Sequence, residues 1–471
     1  MEGGTMSNAT ICYIGGGSKA WAKKLMGDIL CQQDVSGVLR LYDIDKEAAL
    51  RNKRYFEVLI KDNQDLIKSN WTCEVYENLD EALTGADFVV ISILPGTFDE
   101  MEVDVHLPEK YGIYQSVGDT VGPGGFSRAL RVIPAYREFA RKIRENCPNA
   151  WVINYTNPMA ICVATLYKEF PEIKAFGCCH EVFKAQILLK EMYKLMTNDQ
   201  DQIDRRAIKI NVQGLNHFTW VTEAKYKTTD LMPLFAKFVE QNWENGYVLE
   251  KDRNNAVRTK YFSCREKVKF DLFRRFGVMA AAGDRHLAEF MPSSYLNSPD
   301  EITKWGFNIT PVSYRKEEEK AKIQKTLMQI EGKEKAELEL SGEEGVDQIR
   351  AILGEHVLVT NVNLPNYGQL PDLPLGTVVE TNAVFSNDSV RPVYSGKINT
   401  NVKAILMQHS VNQQNLIEAY FSKNKQKLFE TFYNDPSVLR LKRDDAKALF
   451  NQLIDGTKKY LESWIVEGRI I

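Results

Sequence analysis

The chain is poor in cysteine and histidine: 471 residues carry eight Cys and six His. Eight thiols over this length make no disulfide framework, so reduced thiols and a cytoplasmic setting are expected. No run of about 18 apolar residues occurs, which leaves no candidate for a membrane-spanning helix. Met1 to Asn8 lacks the basic start and apolar stretch of a secretory leader, and residues 1–9 are expected to be disordered. A basic excess is missing as well. Lys and Arg number 60 against 63 Asp and Glu, a net charge of −3, which argues against a nucleic-acid or anionic-membrane partner. Internal repeats and long low-complexity linkers are absent too. The 44% hydrophobic and 26% charged content is that of an ordinary globular protein.

What is present is an alternation of strand and helix patterns over the first 180 residues. ATICYIG (9–15), GVLRLYDID (37–45), DFVVISILPG (87–96), AWVINYTNP (150–158) and KAFGCCH (174–180) read as buried strands. KAWAKKLMGDILCQQ (19–33) spaces its apolar residues as a helix does, and SRALRVIPAYREFARKIRENC (127–147) is a long amphipathic helix with Pro134 at the start of its main part. This succession predicts an α/β fold: a Rossmann-like parallel sheet over residues 10–200, with helices on both faces. Paired strands over 206–226 and helices beyond predict a C-terminal α+β domain over 201–471 that shares the cleft. The charge-dense stretch 315–349 is expected to be a solvated helix or a mobile insertion.

Gly15-Gly16-Gly17-Ser18 follows the first strand and precedes a helix. Glycines let backbone N–H groups approach a pyrophosphate, and the helix N-terminus favours its charge. Asp43 ends the second strand, where a carboxylate accepts both ribose hydroxyls and repels a 2′-phosphate, so NAD is favoured over NADP. The later strand tips carry polar residues that a structural strand does not need: Asn154 and Asn157, Cys179-His180-Glu181, His217 in GLNHF, and Asp119 in a Gly-rich loop. In an open α/β sheet such tips converge on the ligand crevice. Cys179 and His217 are a possible metal pair, since a thiolate and an imidazole leave coordination positions open for a substrate. A small buried hydrophobe and a satisfied core histidine are the plainer readings of the two. Gly354-Glu355-His356 echoes the catalytic turn of lactate and malate dehydrogenases, but it stands outside the nucleotide half and is taken as coincidence.

IGGGSKAW with Gly27-Asp28, QSVGDTVGPGG (115–125), NYTNPMA (154–160), CCHEV (178–182), GLNHF (214–218) and AAGDRHLAEF (281–290) occur in this order. Together, over roughly residues 10–420, they resemble the family 4 glycoside hydrolases, whose members use NAD and a divalent metal, usually manganese, rather than a carboxylate pair. The resemblance implies metal ligation by Cys179 and His217 and sugar binding by Asn157, with Asn154 adjacent. The tetrapeptide Cys179-His180-Glu181-Val182 looks like that of the α-galacturonidase branch, close to α-glucuronidases and unlike the phospho-α-glucosidases. Members acting on phospho-sugars have a tyrosine base in the segment that here reads GDRHLAEF. This chain has none there, and Asp284 is the first candidate in its place, His286 the second.

The implied chemistry oxidises C3 of the sugar by hydride transfer to NAD. The metal then polarises O2 and O3, a base takes the C2 proton, the aglycone leaves C1, water adds back, and the reduced cofactor returns the hydride. Asp119 is a candidate for deprotonation at O3 or for sugar binding. Glu181 is a candidate for electrostatic tuning and His180 for a leaving-group acid. The carboxylate of a uronide calls for a cation, and Arg285, Arg128 and Arg131 are the candidates. An α-glucuronidase or another α-glycosidase of the family is the alternative. Of different classes are an NAD-dependent hydroxy-acid or sugar dehydrogenase and a non-catalytic NAD sensor. The family resemblance implies a homodimer or homotetramer.

Overall fold

The computed structural model describes residues 7–309, 311–468 and 470. Six parallel strands form the first half: β1 (Ser7–Ile14), β2 (Val35–Tyr42), β3 (Trp71–Tyr76), β4 (Phe88–Ile91), β5 (Trp151–Asn154) and β6 (Lys174–Gly177), in the order β3-β2-β1-β4-β5-β6. All four residues of β4 are buried, because helices cover both faces of the sheet. On one face Met26, Ile29 and Phe56 pack on Ile11 and Tyr13. On the other Val132, Tyr136, Ala140 and Ile143 pack on Cys12, Val89 and Ile91. Each such buried side chain contributes about 1.5–3 kcal/mol relative to exposure. The strand order reverses between β1 and β4, which opens a crevice at the carboxyl ends of the strands.

The C-terminal half holds a small antiparallel sheet of β7 (Ile208–Leu215), β8 (Phe218–Tyr226), β9 (Thr229–Asp230) and β10 (Met279–Ala280). It also returns to the first sheet. β11 (Leu358–Pro365), β12 (Val378–Ser386) and β13 (Ser389–Pro392) run antiparallel beyond β6 and bring the sheet to nine strands. The fold is thus the expected Rossmann-like α/β sheet with an α+β C-terminal portion.

Three expectations differ from what is seen. β1 begins at Ser7 rather than after residue 9, because Ser7–Ala9 pair with Val35–Gly37 of β2; Met1–Met6 lie outside the described residues. The long helix runs unbroken over Gly122–Asn146 with Pro134 in its interior. Its 25 residues supply enough other bonds to absorb one missing donor. The charge-dense stretch forms a helix, Val312–Ile330, and then a strap that is pinned rather than mobile. Ala336 N–H donates to Asp62, and Ser341 N–H donates to Asp28 at 2.7 Å. Among the described residues no helix is long and apolar enough to cross a membrane.

Candidate active site

Gly15, Gly16 and Gly17 leave β1 pressed against the neighbouring chain. Gly15 has φ +93°, and a Cβ there would sit 2.1 Å from Ser92 O. A Cβ on Gly16 would meet Leu41 Cβ at 2.7 Å, and one on Gly17 would meet Ala48 Cβ at 2.6 Å. Ser18 Oγ accepts the N–H of Trp21, the first residue of the helix Trp21–Leu30, at 3.0 Å. Asp43 follows β2 and accepts the Gly17 N–H at 2.8 Å. The glycine turn, the helix start and the Asp43 carboxylate thus stand together, with the Gly15 and Gly16 N–H groups donating to Tyr42 O. Asn52, which periodicity alone marks only as a helix residue, secures the loop by donating to Gly16 O at 2.7 Å and Ser18 O at 2.9 Å.

Ligand atoms of Asp119, His217 and His286 lie within 4.8 Å of one another. His217 stands in the two-residue turn between β7 and β8, at φ +64°. Thr120 Oγ1 donates to Asp119 Oδ1 at 2.7 Å and lies 2.9 Å from His217 Nδ1. The His286 ring lies 3.8 Å from that of His217, centroid to centroid, and its buried Nδ1 has no partner among the described residues. Burial, with His217 beside it, lowers His286 to about 3, so the imidazole is neutral. Burial pushes the Asp119 carboxyl up, but His217, His286 and Arg128 overcome this and hold it at about 2. Asn157 donates to Asp119 Oδ2 at 3.1 Å, while its own Oδ1 is buried and without a partner among the described residues.

Cys179 follows β6. Its thiol is faced by the side chain of Asn216, the residue before His217, and burial keeps it protonated in the absence of a cation. Glu181 lies underneath. It accepts from Lys184 Nζ at 2.6 Å and Gly283 N–H at 3.0 Å, and stands 4.0 Å from His286 Nε2. Burial would raise its pKa, but Lys184 and the histidines hold it well below the ordinary value. His180 stacks on Trp21, places Nδ1 3.2 Å from Glu343, a residue of the charge-dense strap, and Nε2 3.7 Å from Glu181.

The remaining candidates make other contacts. Asp284 accepts the Lys269 N–H at 3.1 Å and groups with Cys264 and Glu266. Burial, with Glu266 beside it, raises it to about 7. That value suits a base, yet no hydrogen bond joins it to Asp119, His217 or His286. The Asn154 amide is spent inside the fold, on Tyr136, Thr156 and Met159. Arg131 is buried on Asp104, and Arg285 donates to Asn308 O and Ser116 O. Arg128 donates to Asn157 O at 3.0 Å, beside Asp119. Two buried carboxylates escape sequence reasoning. Glu289 accepts Val117 N–H at 2.6 Å and Gly118 N–H at 2.8 Å, which fixes the Asp119 loop. Glu380 of β12 receives Asn361 at 2.7 Å.

The donor set of Asp119, His217 and His286 suits a divalent cation, with Nδ1 of His217 occupied by Thr120; Cys179 lies outside this triad and reaches it through Asn216. The glycine turn with Asp43 at the end of β2 likewise suits a dinucleotide.

Comparison with known proteins matches residues 10–195 to the family 4 glycosyl hydrolase model and residues 212–438 to its C-terminal domain. An α-galacturonidase of Thermoanaerobacter italicus is 51% identical over 98% of this chain and 99% of its own length. One of Bacillus subtilis is 46% identical over 96% and 98%. A crystal structure of a Bacillus subtilis protein described as a glucosidase superposes with TM-score 0.89 at 46% identity, covering 95% of this chain and 99% of that one. A 6-phospho-α-glucosidase from gut microorganisms, solved with NAD and Mn2+, shares the fold at TM-score 0.80 and 19% identity, over 97% and 99%.

Proposed function

Because the chain belongs to the family 4 glycosyl hydrolases, we propose that it hydrolyses α-galacturonides with bound NAD and a divalent cation, manganese foremost. The observation that carries this reading is the convergence of Asp119, His217, His286 and Asn157 in one cluster, with Asn157 following β5 and the glycine turn following β1 at the same carboxyl edge of the sheet. The α-galacturonidase relatives at 46–51% identity support the uronide.

Gly15–Gly17, Ser18 and Asp43 would hold the dinucleotide, and His217 and Cys179 the cation. Bound there, they would supply a hydride acceptor for C3 that gives the hydride back after cleavage, and a Lewis acid that makes the C2 proton acidic. Asn157 Oδ1, buried and unpartnered, accepts a sugar hydroxyl. Asp119, ionised at neutral pH, takes the O3 proton. His286, neutral and with a free Nδ1, takes the C2 proton in preference to Asp284, whose carboxylate faces Lys269. Arg128, next to Asp119 and Asn157, and Arg285 supply positive charge for the C6 carboxylate. Glu181 tunes the histidines electrostatically; His180, 3.7 Å from Glu181, belongs to the substrate side. Residues 10–200 bind the nucleotide and residues 201–471 complete the substrate side, in a cytoplasmic homodimer or homotetramer.

The test is turnover of an aryl α-galacturonide by protein supplied with NAD, Mn2+ and a thiol reductant. Cleavage with deuterium from heavy water at C2 of the product is expected. Absence of cleavage overturns the substrate, and cleavage without deuterium overturns the elimination.

A further inference from the structure

Glu380 lies on β12, in the part of the C-terminal half that returns to the first sheet. It is 1% exposed, and among the described residues no Lys, Arg or His forms an ion pair with it. A buried carboxylate without a cation is costly unless several donors converge on it. The donors here are specific. Asn361 Nδ2 gives a 2.7 Å bond to Oε1, and Asn216 Nδ2 lies 3.3 Å from Oε2. The backbone N–H of His217 is directed at the same carboxylate.

Each donor flanks one of the residues assigned above to the cation. Asn216 and His217 form the two-residue turn between Leu215 and Phe218, and His217 is held there at φ +64°, a conformation costing about 1–2 kcal/mol for a residue with a Cβ. Asn216 also faces the Cys179 thiol. Asn361 donates a second bond, 3.1 Å long, to Cys179 O. One carboxylate therefore connects the strained turn that carries the imidazole with the strand end that carries the thiol.

We propose that Glu380 is a positioning residue for the metal site: it aligns the Asn216–His217 turn and, through Asn216 and Asn361, the Cys179 segment, so that imidazole and thiolate meet one divalent cation. This rests on the reading of Cys179 and His217 as ligands. Outer-shell partners of this kind are typically worth about 10–100-fold in metal affinity. Glutamine at this position keeps the size and one acceptor, but opposes a second donor to the donors already there.

The experiment titrates metal-free, full-length protein with Mn2+ and follows the free aquo-ion by electron paramagnetic resonance. For Glu380→Gln the dissociation constant should rise about 10–100-fold, with NAD affinity and the thermal midpoint near wild type. A folded Glu380→Gln protein with wild-type Mn2+ affinity overturns the proposal, even if its turnover falls. Cys179→Ser separates the two readings. If it too binds Mn2+ as wild type does, the ligand assignment fails. If it binds weakly while Glu380→Gln does not, only the role of Glu380 fails. Should Glu380→Gln not fold, Asn361→Leu decides, since it cuts the link to Cys179 O and leaves the carboxylate; unchanged Mn2+ affinity there overturns the proposal.

Discussion

Thr120 Oγ1 stands between Asp119 Oδ1, at 2.7 Å, and His217 Nδ1, at 2.9 Å. Asp119 is ionised and accepts only, so the single hydroxyl proton goes to it. The threonine oxygen must then accept from His217, which places the imidazole proton on Nδ1 and leaves the Nε2 lone pair free. One hydroxyl thus selects the tautomer that can bind a cation.

Replacing Thr120 by Val keeps the shape and removes that hydroxyl. Mn2+ affinity and turnover at limiting Mn2+ should each fall about 10–100-fold, whereas Thr120→Ser should stay within a few-fold of wild type. Mn2+ titration of initial rates reads this directly, and wild-type behaviour of Thr120→Val would show that the hydroxyl does not set the tautomer.

The nucleotide loop makes a steric prediction. A methyl group on Gly17 would lie 2.6 Å from Ala48 Cβ and 2.9 Å from Asp43 Oδ2. Relief requires moving the helix Lys46–Asp62 or the carboxylate, at about 1–3 kcal/mol. Gly17→Ala should therefore weaken NAD binding by about tenfold or more, measured by fluorescence titration, while Mn2+ binding is retained.

Arg131 was a candidate for the substrate carboxylate, and its geometry assigns it to the fold. Nη1 and Nη2 meet both oxygens of Asp104, and both side chains are 2% exposed. Arg131→Met leaves a buried, uncompensated carboxylate and should lower unfolding free energy by about 3–5 kcal/mol in urea melts. Adding Asp104→Leu should recover most of that. The Michaelis constant of the folded double variant should be near wild type; a large rise would return Arg131 to the substrate.

The parts of the site that were legible in the sequence are those written locally. A strand, three glycines, a helix and an acid at the next strand end are contiguous signals, and Asn157, Cys179 and His217 sit on strand or hairpin tips. The choice between Asp284 and His286 needed side-chain direction. They are two positions apart in the helix Asp284–Phe290, and residues so spaced do not share a face. One therefore meets His217 and the other Lys269. Glu289 and Glu380 were illegible because their partners lie far away in the chain, at Val117 and Asn216. The strap over residues 331–345 read as mobile because its charge density hides Asp28 and Lys24, the groups that hold it.

The Asp119 loop carries a pH dependence of stability. Glu289 accepts Val117 N–H and Gly118 N–H on Oε1, and its Oε2 is buried without a partner. Burial foremost, with the Asp119 charge adding, raises its carboxyl from the ordinary 4.5 to about 8. A carboxyl whose folded pKa is raised binds its proton more tightly in the native state. Its contribution is therefore fully present below pH 4.5 and is lost as pH rises towards about 8, with a slope of at most about 1.4 kcal/mol per pH unit. Glu289→Gln keeps the acceptor for both N–H groups and cannot ionise. Between pH 5 and 8 its unfolding free energy should fall less steeply than that of wild type, so the difference between the two grows in favour of the variant as pH rises. Urea denaturation across that range measures it, and parallel curves would mean that Glu289 is already ionised in the native protein.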